Sequence, residues 1–321
     1  MNVRFGIIGL GVISDRFAAV LNTADGVELA AVASSDEMRA VAFAKKHHAA
    51  KASKSYLDLV EDKDVDVVYI GLTHNFHYEA IKLCIEHGKG VICEKPMFLN
   101  KRDAEEITTL AKEKNVLLME AMWSRFTPPF QKAKKWIDSG RIGQVKLVNA
   151  SFCFNFPFDP SHRLFNPSLA GGSLYDAGVY PIEFTTGMLG ENPKHVKGLA
   201  SICETGVDDY VAFSMSFESG TLASLSCGTA AVTSQDACIY GTNGHVIVYD
   251  FLGSRKCELL DNDNNLIERF EVAFDDGFIF EIRHFADLYR NRKTESPIMP
   301  LEDTIACAGI FDELISSWNQ R

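Results

Sequence analysis

Arg4-Phe5-Gly6-Ile7-Ile8-Gly9-Leu10-Gly11-Val12-Ile13-Ser14 is the stretch whose reading decides the fold. Its first half is a short apolar run, the pattern of a strand buried on both faces. Its second half is a G-x-G-x-x-(small) turn that opens a helical pattern over Ile13–Leu21. In a strand–turn–helix context each position has a physical task. Gly9 permits the tight turn, and Gly11 lets the backbone approach a pyrophosphate. Ser14 is small enough for helix to pack closely on strand, and Val12 and Ile13 carry the chain into that helix. The first N–H groups of the helix and its positive end then favour phosphate. A glycine turn with no ligand is the competing reading, and the surrounding βαβ pattern weighs against it.

Working outward, short apolar runs alternate with helical patterns. The strands are Arg4–Gly9, Glu28–Ala33, Val65–Gly71, Gly90–Cys93 and Val116–Glu120; helices are predicted at Asp36–His47, Tyr56–Leu59, His77–His87 and Lys101–Lys114. Such alternation argues a parallel sheet covered on both faces. Beyond Trp123 the period changes. A helix from Thr127-Pro128-Pro129 to about Ser139 precedes strands of period two. Tyr210–Phe217 puts Val211, Phe213, Met215 and Phe217 on one face and Ala212, Ser214 and Ser216 on the other. Thr221–Cys227 returns, with either Thr221, Ala223 and Cys227 or their alternates on the small-residue face. Gly241-Thr242-Asn243-Gly244 joins two further strands as a hairpin, and helices Phe278–Arg292 and Glu302–Trp318 close the chain. The expected architecture is α/β: a doubly wound parallel sheet of the Rossmann type over 1–121, then an α+β domain with a large, mostly antiparallel open sheet over 122–321. The flat, small-residue face of that sheet predicts a homodimer or higher homo-oligomer.

Bulk properties narrow the function. The chain has 321 residues, 46% of them hydrophobic and 23% charged, which fits two folded domains. A formal charge of −11 disfavours nucleic acid and anionic membrane partners. No apolar run reaches membrane-spanning length. Met1-Asn2-Val3-Arg4 leads straight into a strand without signal-peptide features. The eight cysteines form no C-x-x-C pair, as expected of reduced core thiols in a cytoplasmic protein.

The second strand ends in Ala33-Ser34-Ser35-Asp36-Glu37-Met38-Arg39. An NAD site usually carries an acid at this tip to bind the ribose 2′-OH. Here two serines stand there, Asp36 reads equally well as a helix cap, and Arg39 lies one turn on, within reach of a 2′-phosphate. NADP is therefore favoured over NAD.

Two further segments carry chemistry. Gly90-Val91-Ile92-Cys93-Glu94-Lys95-Pro96 runs a strand into the ligand-binding edge, with Pro96 biasing Lys95 towards an extended backbone. Gly171-Gly172-Ser173-Leu174-Tyr175-Asp176-Ala177-Gly178-Val179-Tyr180-Pro181 leads two glycines into a helix, with Asp176 and Tyr180 one turn apart. Singly, Asp176 reads as a cap and Tyr180 as a packed aromatic.

Together with Thr73–His77, Glu120-Ala121-Met122-Trp123-Ser124-Arg125-Phe126 and Glu204-Thr205-Gly206-Val207-Asp208-Asp209, these segments give the chain a resemblance along essentially its whole length. It resembles the glucose–fructose oxidoreductase / inositol dehydrogenase / MocA family, and within it the branch of dimeric dihydrodiol dehydrogenases and NADP-dependent D-xylose dehydrogenases. Tyr180 fits that branch, since many other members carry histidine there. The resemblance implies that Lys95 and Tyr180 flank the reacting carbon and that Asp176 orders the substrate or Tyr180. It places Leu72, Thr73, His74, His77, Glu94, Lys95, Trp123 and Arg125 at the cofactor, and Phe152, Phe154, Asn155 and Arg163 at the substrate. It also implies pairing of subunits through the C-terminal sheet.

The implied reaction moves a hydride between NADP or NAD and a sugar, polyol or dihydrodiol, while the protein handles the proton. No metal is expected: His74 and His77 stand three apart without a third ligand. Two other readings stay open at this point, a glycosidase that oxidises its sugar transiently with NAD, and a non-catalytic nucleotide sensor.

Overall fold

The computed structural model describes residues 2–318. It contains two compact units, Met1–Ala121 with Phe278–Thr304, and Met122–Gly277 with Ile305–Arg321.

The first unit runs β1 (Val3–Ile8), α1 (Val12–Leu21), β2 (Val27–Ala33), α2 (Glu37–His47), β3 (Lys51–Ser53), α3 (Tyr56–Glu61), β4 (Val67–Ile70), α4 (His77–Glu86), β5 (Gly90–Glu94), α5 (Lys101–Lys114) and β6 (Leu118–Ala121). All six strands are parallel, in the order β3-β2-β1-β4-β5-β6. The two halves wind outward from β1, so a crevice opens beyond its carboxyl end. Covering helices explain why β4 and β5 are buried at every position. The side chains of Asp36, Ser55 and Asn100 accept an N–H in the first turns of α2, α3 and α5. By contrast, α1 is preceded by Gly11, which has no side chain to cap it, and this leaves its first N–H groups available to a ligand.

The second unit contains α6 (Pro128–Asp138), β7 (Val145–Cys153), α7 (Val179–Leu189), β8 (His195–Ile202), β9 (Asp208–Ser216), β10 (Leu222–Gly228), β11 (Ala237–Gly241), β12 (Gly244–Tyr249), β13 (Lys256–Leu260) and β14 (Leu266–Glu271). They form one sheet of order β14-β13-β12-β11-β7-β10-β9-β8. Every pairing is antiparallel except β7 with β10. Helices α6 and α7 pack on its inner face, against β13 and β7. The predicted alternation holds on β9: Val211, Phe213 and Met215 are buried, while Ala212 and Ser214 are exposed. On β10 it is the alternates, Leu222 and Ser224, that face outward; Thr221, Ala223 and Cys227 are buried.

Two helices remain, α8 (Phe278–Arg290) and α9 (Leu301–Trp318). The sequence reading assigned 122–321 to a single second domain, but α8 belongs to the first unit. Aromatic packing is the reason. The ring of Phe278 lies 6.4 Å from Phe17, and that of Phe285 lies 6.1 Å from Phe5. After α8, Thr294 accepts a hydrogen bond from the Leu118 N–H at 3.1 Å, tying the segment to β6. All eight cysteines are free thiols, and among the described residues no helix is long and apolar enough to cross a membrane.

Candidate active site

The glycine turn behaves as its sequence implies. Gly9 has φ +85°, and a Cβ there would lie 2.6 Å from the Leu72 side chain, so conformation and space both demand glycine. Gly11 has nothing within 4 Å of a would-be Cβ: the space before it is open. Val12 beside it is 90% exposed although apolar. Ser14 is buried and donates its hydroxyl to the Gly9 carbonyl at 2.5 Å. A Cβ at Gly71 would come within 2.1 Å of that hydroxyl, which shows how closely helix and strand approach here.

A cavity of about 550 Å³ extends from this turn. Ser34, Ser35 and Arg39 line its far end, and Leu72 and Thr73 its β4 side. Asp36 caps α2, its Oδ1 accepting the Arg39 N–H at 3.1 Å, and it does not line the cavity. Tyr56, at the start of α3, also lines the cavity and was not anticipated. Burial raises its phenol pKa, while the Ser35 N–H and the Arg39 charge oppose that rise. Nothing in the local sequence announces this role, because β3 carries Tyr56 back to the β2 tip.

Open glycine, uncapped helix and a serine–arginine end fit a dinucleotide: pyrophosphate at the turn, and the adenosine ribose towards Ser34, Ser35 and Arg39. His74 lies in the short turn His74–Phe76 that leads into α4. His77 is fully buried, with Nδ1 3.0 Å from the Pro96 carbonyl oxygen and Nε2 3.0 Å from that of Leu72. It holds the wall rather than facing a ligand, and burial pushes its pKa down.

At the β5 tip, Glu94 is buried and accepts the Tyr69 hydroxyl at 2.7 Å. Burial raises the pKa of its carboxyl. The ring of Phe17 stacks on Tyr69 at 3.6 Å, so the pair is fixed from behind. Lys95 follows, half-buried, its N–H donating to Glu94 at 3.3 Å. The next segment is anchored by buried Glu120, which accepts the Met97 N–H at 3.0 Å and the Thr304 hydroxyl at 2.7 Å.

In the second unit, Asp176 and Tyr180 are almost fully buried. They do not share a regular α-helical turn, as their spacing suggested: Leu174–Gly178 is a π-turn that leads into α7. Asp176 accepts from the Arg163 guanidinium at 2.9 Å. The Tyr180 ring meets Phe152 edge to face at 5.2 Å, and Phe152 lies 5.5 Å from Phe154. Asn155 forms a β-bridge with Ala230. These substrate candidates therefore share one face of the unit with Tyr180 in the case of Phe152 and Phe154, and with Asp176 in the case of Arg163. Trp123 is half-buried; a Cβ at Gly253 or Gly277 would come within 2.8 or 2.7 Å of its indole. The Arg125 side chain is buried, donating to the Glu183 carbonyl at 2.8 Å and the Thr186 hydroxyl at 2.7 Å and pairing with the Glu183 carboxylate. It clamps α7, since a buried guanidinium must satisfy its donors.

The parallel sheet, its glycine turn and the adjoining cavity define a dinucleotide-binding protein of the α/β class. Comparison with known proteins sharpens this. Residues 3–122 match the oxidoreductase family with an NAD-binding Rossmann fold, and residues 130–247 match the GFO/IDH/MocA C-terminal domain. Trans-1,2-dihydrobenzene-1,2-diol dehydrogenase of Xenopus laevis is 32% identical over 324 residues, covering 98% of each chain. The enzyme of that name from Homo sapiens is 32% identical over 98% of this chain and 96% of its own. Among solved structures, aldose-aldose oxidoreductase from Caulobacter crescentus superimposes with a TM-score of 0.90 at 22% identity, over 100% of this chain and 98% of its own. A 3-ketoreductase from Actinomadura kijaniata, solved with NADP, gives 0.85 at 24% identity over 98% of both chains. The chain belongs to the GFO/IDH/MocA oxidoreductase family and is an NAD(P)-dependent oxidoreductase acting on CH–OH groups.

Proposed function

We propose that the protein interconverts a hydroxyl and a carbonyl on a dihydrodiol, sugar or polyol, with NADP preferred over NAD. The observation that carries the substrate class is the end-to-end similarity to dihydrodiol dehydrogenases. The NADP preference rests on Ser34, Ser35 and Arg39 lining the cavity while Asp36 is engaged as a cap.

The nicotinamide, when bound, supplies the hydride acceptor or donor; the chain must supply orientation and proton transfer. Tyr180 is the general acid–base: as the phenolate it takes the hydroxyl proton in oxidation, and as the phenol it donates a proton in reduction. A free phenol titrates near 10, so a cation that favours the phenolate is needed near neutral pH. Lys95 provides the ammonium and hydrogen-bonds the substrate oxygen as charge develops. Asp176, held by Arg163, orders the site, and Phe152 and Phe154 give the substrate an apolar wall. The eight free thiols and the absence of a spanning helix among the described residues support a cytoplasmic location. The outward face of the second sheet supports a homodimer.

The test is reduced-cofactor absorbance at 340 nm with trans-1,2-dihydrobenzene-1,2-diol, aldoses and polyols, each with NADP and NAD. Turnover on at least one class is expected. Lys95→Met and Tyr180→Phe should each lower kcat by at least about a hundredfold, within the range of general acid–base contributions, while NADP binding persists. Near-normal turnover in either variant removes that residue from the mechanism. Product formed without net absorbance change points to transient oxidation instead.

A further inference from the structure

We infer that Asp208 is a positioning residue: its buried carboxylate sets the π-turn that presents Asp176 and Tyr180. The inference rests on the acid–base reading of Tyr180 and concerns a residue which that reading does not use. Asp208 opens β9 and is almost fully buried. Its Oδ2 accepts the Ser173 hydroxyl at 2.7 Å and the Leu174 N–H at 2.6 Å. Leu174 is the first residue of the π-turn. One carboxylate oxygen thus satisfies an N–H that the turn leaves unpaired, together with the hydroxyl immediately before it.

The approach to that oxygen is equally specific. Gly172 has φ +124°, and a Cβ there would stand 2.5 Å from Asp208 Oδ1. Only glycine lets the chain pass the carboxylate. The Gly172 carbonyl then accepts the Asp176 N–H at 3.3 Å. At the far end of the turn, a Cβ at Gly178 would lie 3.0 Å from Cys227 Sγ on β10. The turn is seated on the sheet at both ends, two residues before Tyr180.

A π-turn is less favourable than α-helix and persists where something enforces it, often at functional sites. Here it changes the angular relation between Asp176 and Tyr180 from that of an ordinary helical turn. A buried carboxylate is an expensive device for a cap, since desolvation opposes its ionisation; burial raises the Asp208 pKa although hydrogen bonds from the Ser173 hydroxyl and from backbone N–H groups oppose the rise.

The experiment uses the full chain labelled with ¹³Cζ-tyrosine. The Tyr180 signal, one of nine tyrosines, is assigned by its loss in Tyr180→Phe. In Asp208→Ala that signal should move and its titration change, and in Asp208→Asn, which keeps an acceptor in place, both should return towards wild type. With trans-1,2-dihydrobenzene-1,2-diol, Asp208→Ala should lower kcat about tenfold or more, the scale of a small misplacement of reacting groups, with the KM for NADP changing less than about twofold. If Asp208→Ala does not fold, Ser173→Ala takes its place with the same expected directions. A folded variant whose Tyr180 signal and titration match wild type overturns the inference. An active Tyr180→Phe would instead remove Tyr180 from the chemistry, whatever the spectra of the Asp208 variants show.

Discussion

Arg39 illustrates what a single side chain decides. It lines the cavity beside Ser34 and Ser35, while its own N–H is held by the Asp36 cap. A charge-assisted contact contributes about 1.5–3 kcal/mol, so Arg39→Ala should weaken NADP by roughly tenfold to a hundredfold and leave NAD nearly unchanged. Isothermal titration with both cofactors reads this directly, and equal losses for both would show that Arg39 does not face the 2′-phosphate. At this scale the glycine turn and the serine tip were legible, because each residue's task follows from its neighbours. Tyr56 was not, since β3 and a helix start deliver it. The burial of Arg125 was not legible for a related reason: its partners, Glu183 and Thr186, lie 58 and 61 residues away in sequence.

Helix α6 and strand β14 show how elements are fastened. Glu268 of β14 reaches Lys132 of α6 at 2.9 Å and Arg141, just past it, at 2.7 Å. The two cations lower its carboxyl pKa from 4.5 to about 2. A carboxyl depressed in the folded state stabilises the fold above its unfolded pKa, and the contribution is lost as pH falls through the folded value. Glu268→Gln should therefore lower Tm at pH 7, and the difference from wild type should shrink between pH 4.5 and about 2. The side chains are partly exposed, which keeps the effect small; thermal melts across that range measure it, and a difference independent of pH would detach the shift from this pair. The same scale separates what could be read from what could not. Buried parallel strands and capped helices announce themselves by pattern. The π-turn does not: Asp176 and Tyr180 keep a spacing that fits an α-helix, and the device that alters it, Asp208, begins a strand far along the chain. Strand β14 escaped because Leu266 and Ile267 are both half exposed and break the alternation.

For the molecule as a whole, the outward face of the second sheet is the feature with consequences. Ala212, Ser214 and Ser224 make it flat, and Leu199 and Leu222 leave apolar side chains 67% and 54% exposed. Two copies meeting there about a two-fold axis would bury this surface. Light scattering after gel filtration should return about twice the 35.6 kDa of one chain, and Ser214→Glu should dissociate the pair by placing like charges across the axis. A single-chain mass at micromolar concentration would sink the homodimer.

The return of the chain to its first unit has a consequence for how the protein is made. The rings of Phe5 and Phe17 acquire Phe285 and Phe278 only when α8 arrives, and β6 acquires the Thr294 carbonyl later still. Synthesis proceeds at about 5–20 residues per second, so the nucleotide-binding half waits on the order of ten seconds, core uncovered, while the whole of the second unit's sheet is translated. The half that leaves the ribosome first is thus sealed only after the second unit's sheet has been made. A premature stop anywhere before α8 strips the cofactor domain of its lid of aromatics, and the nascent chain offers chaperones an apolar surface until α8 has been made.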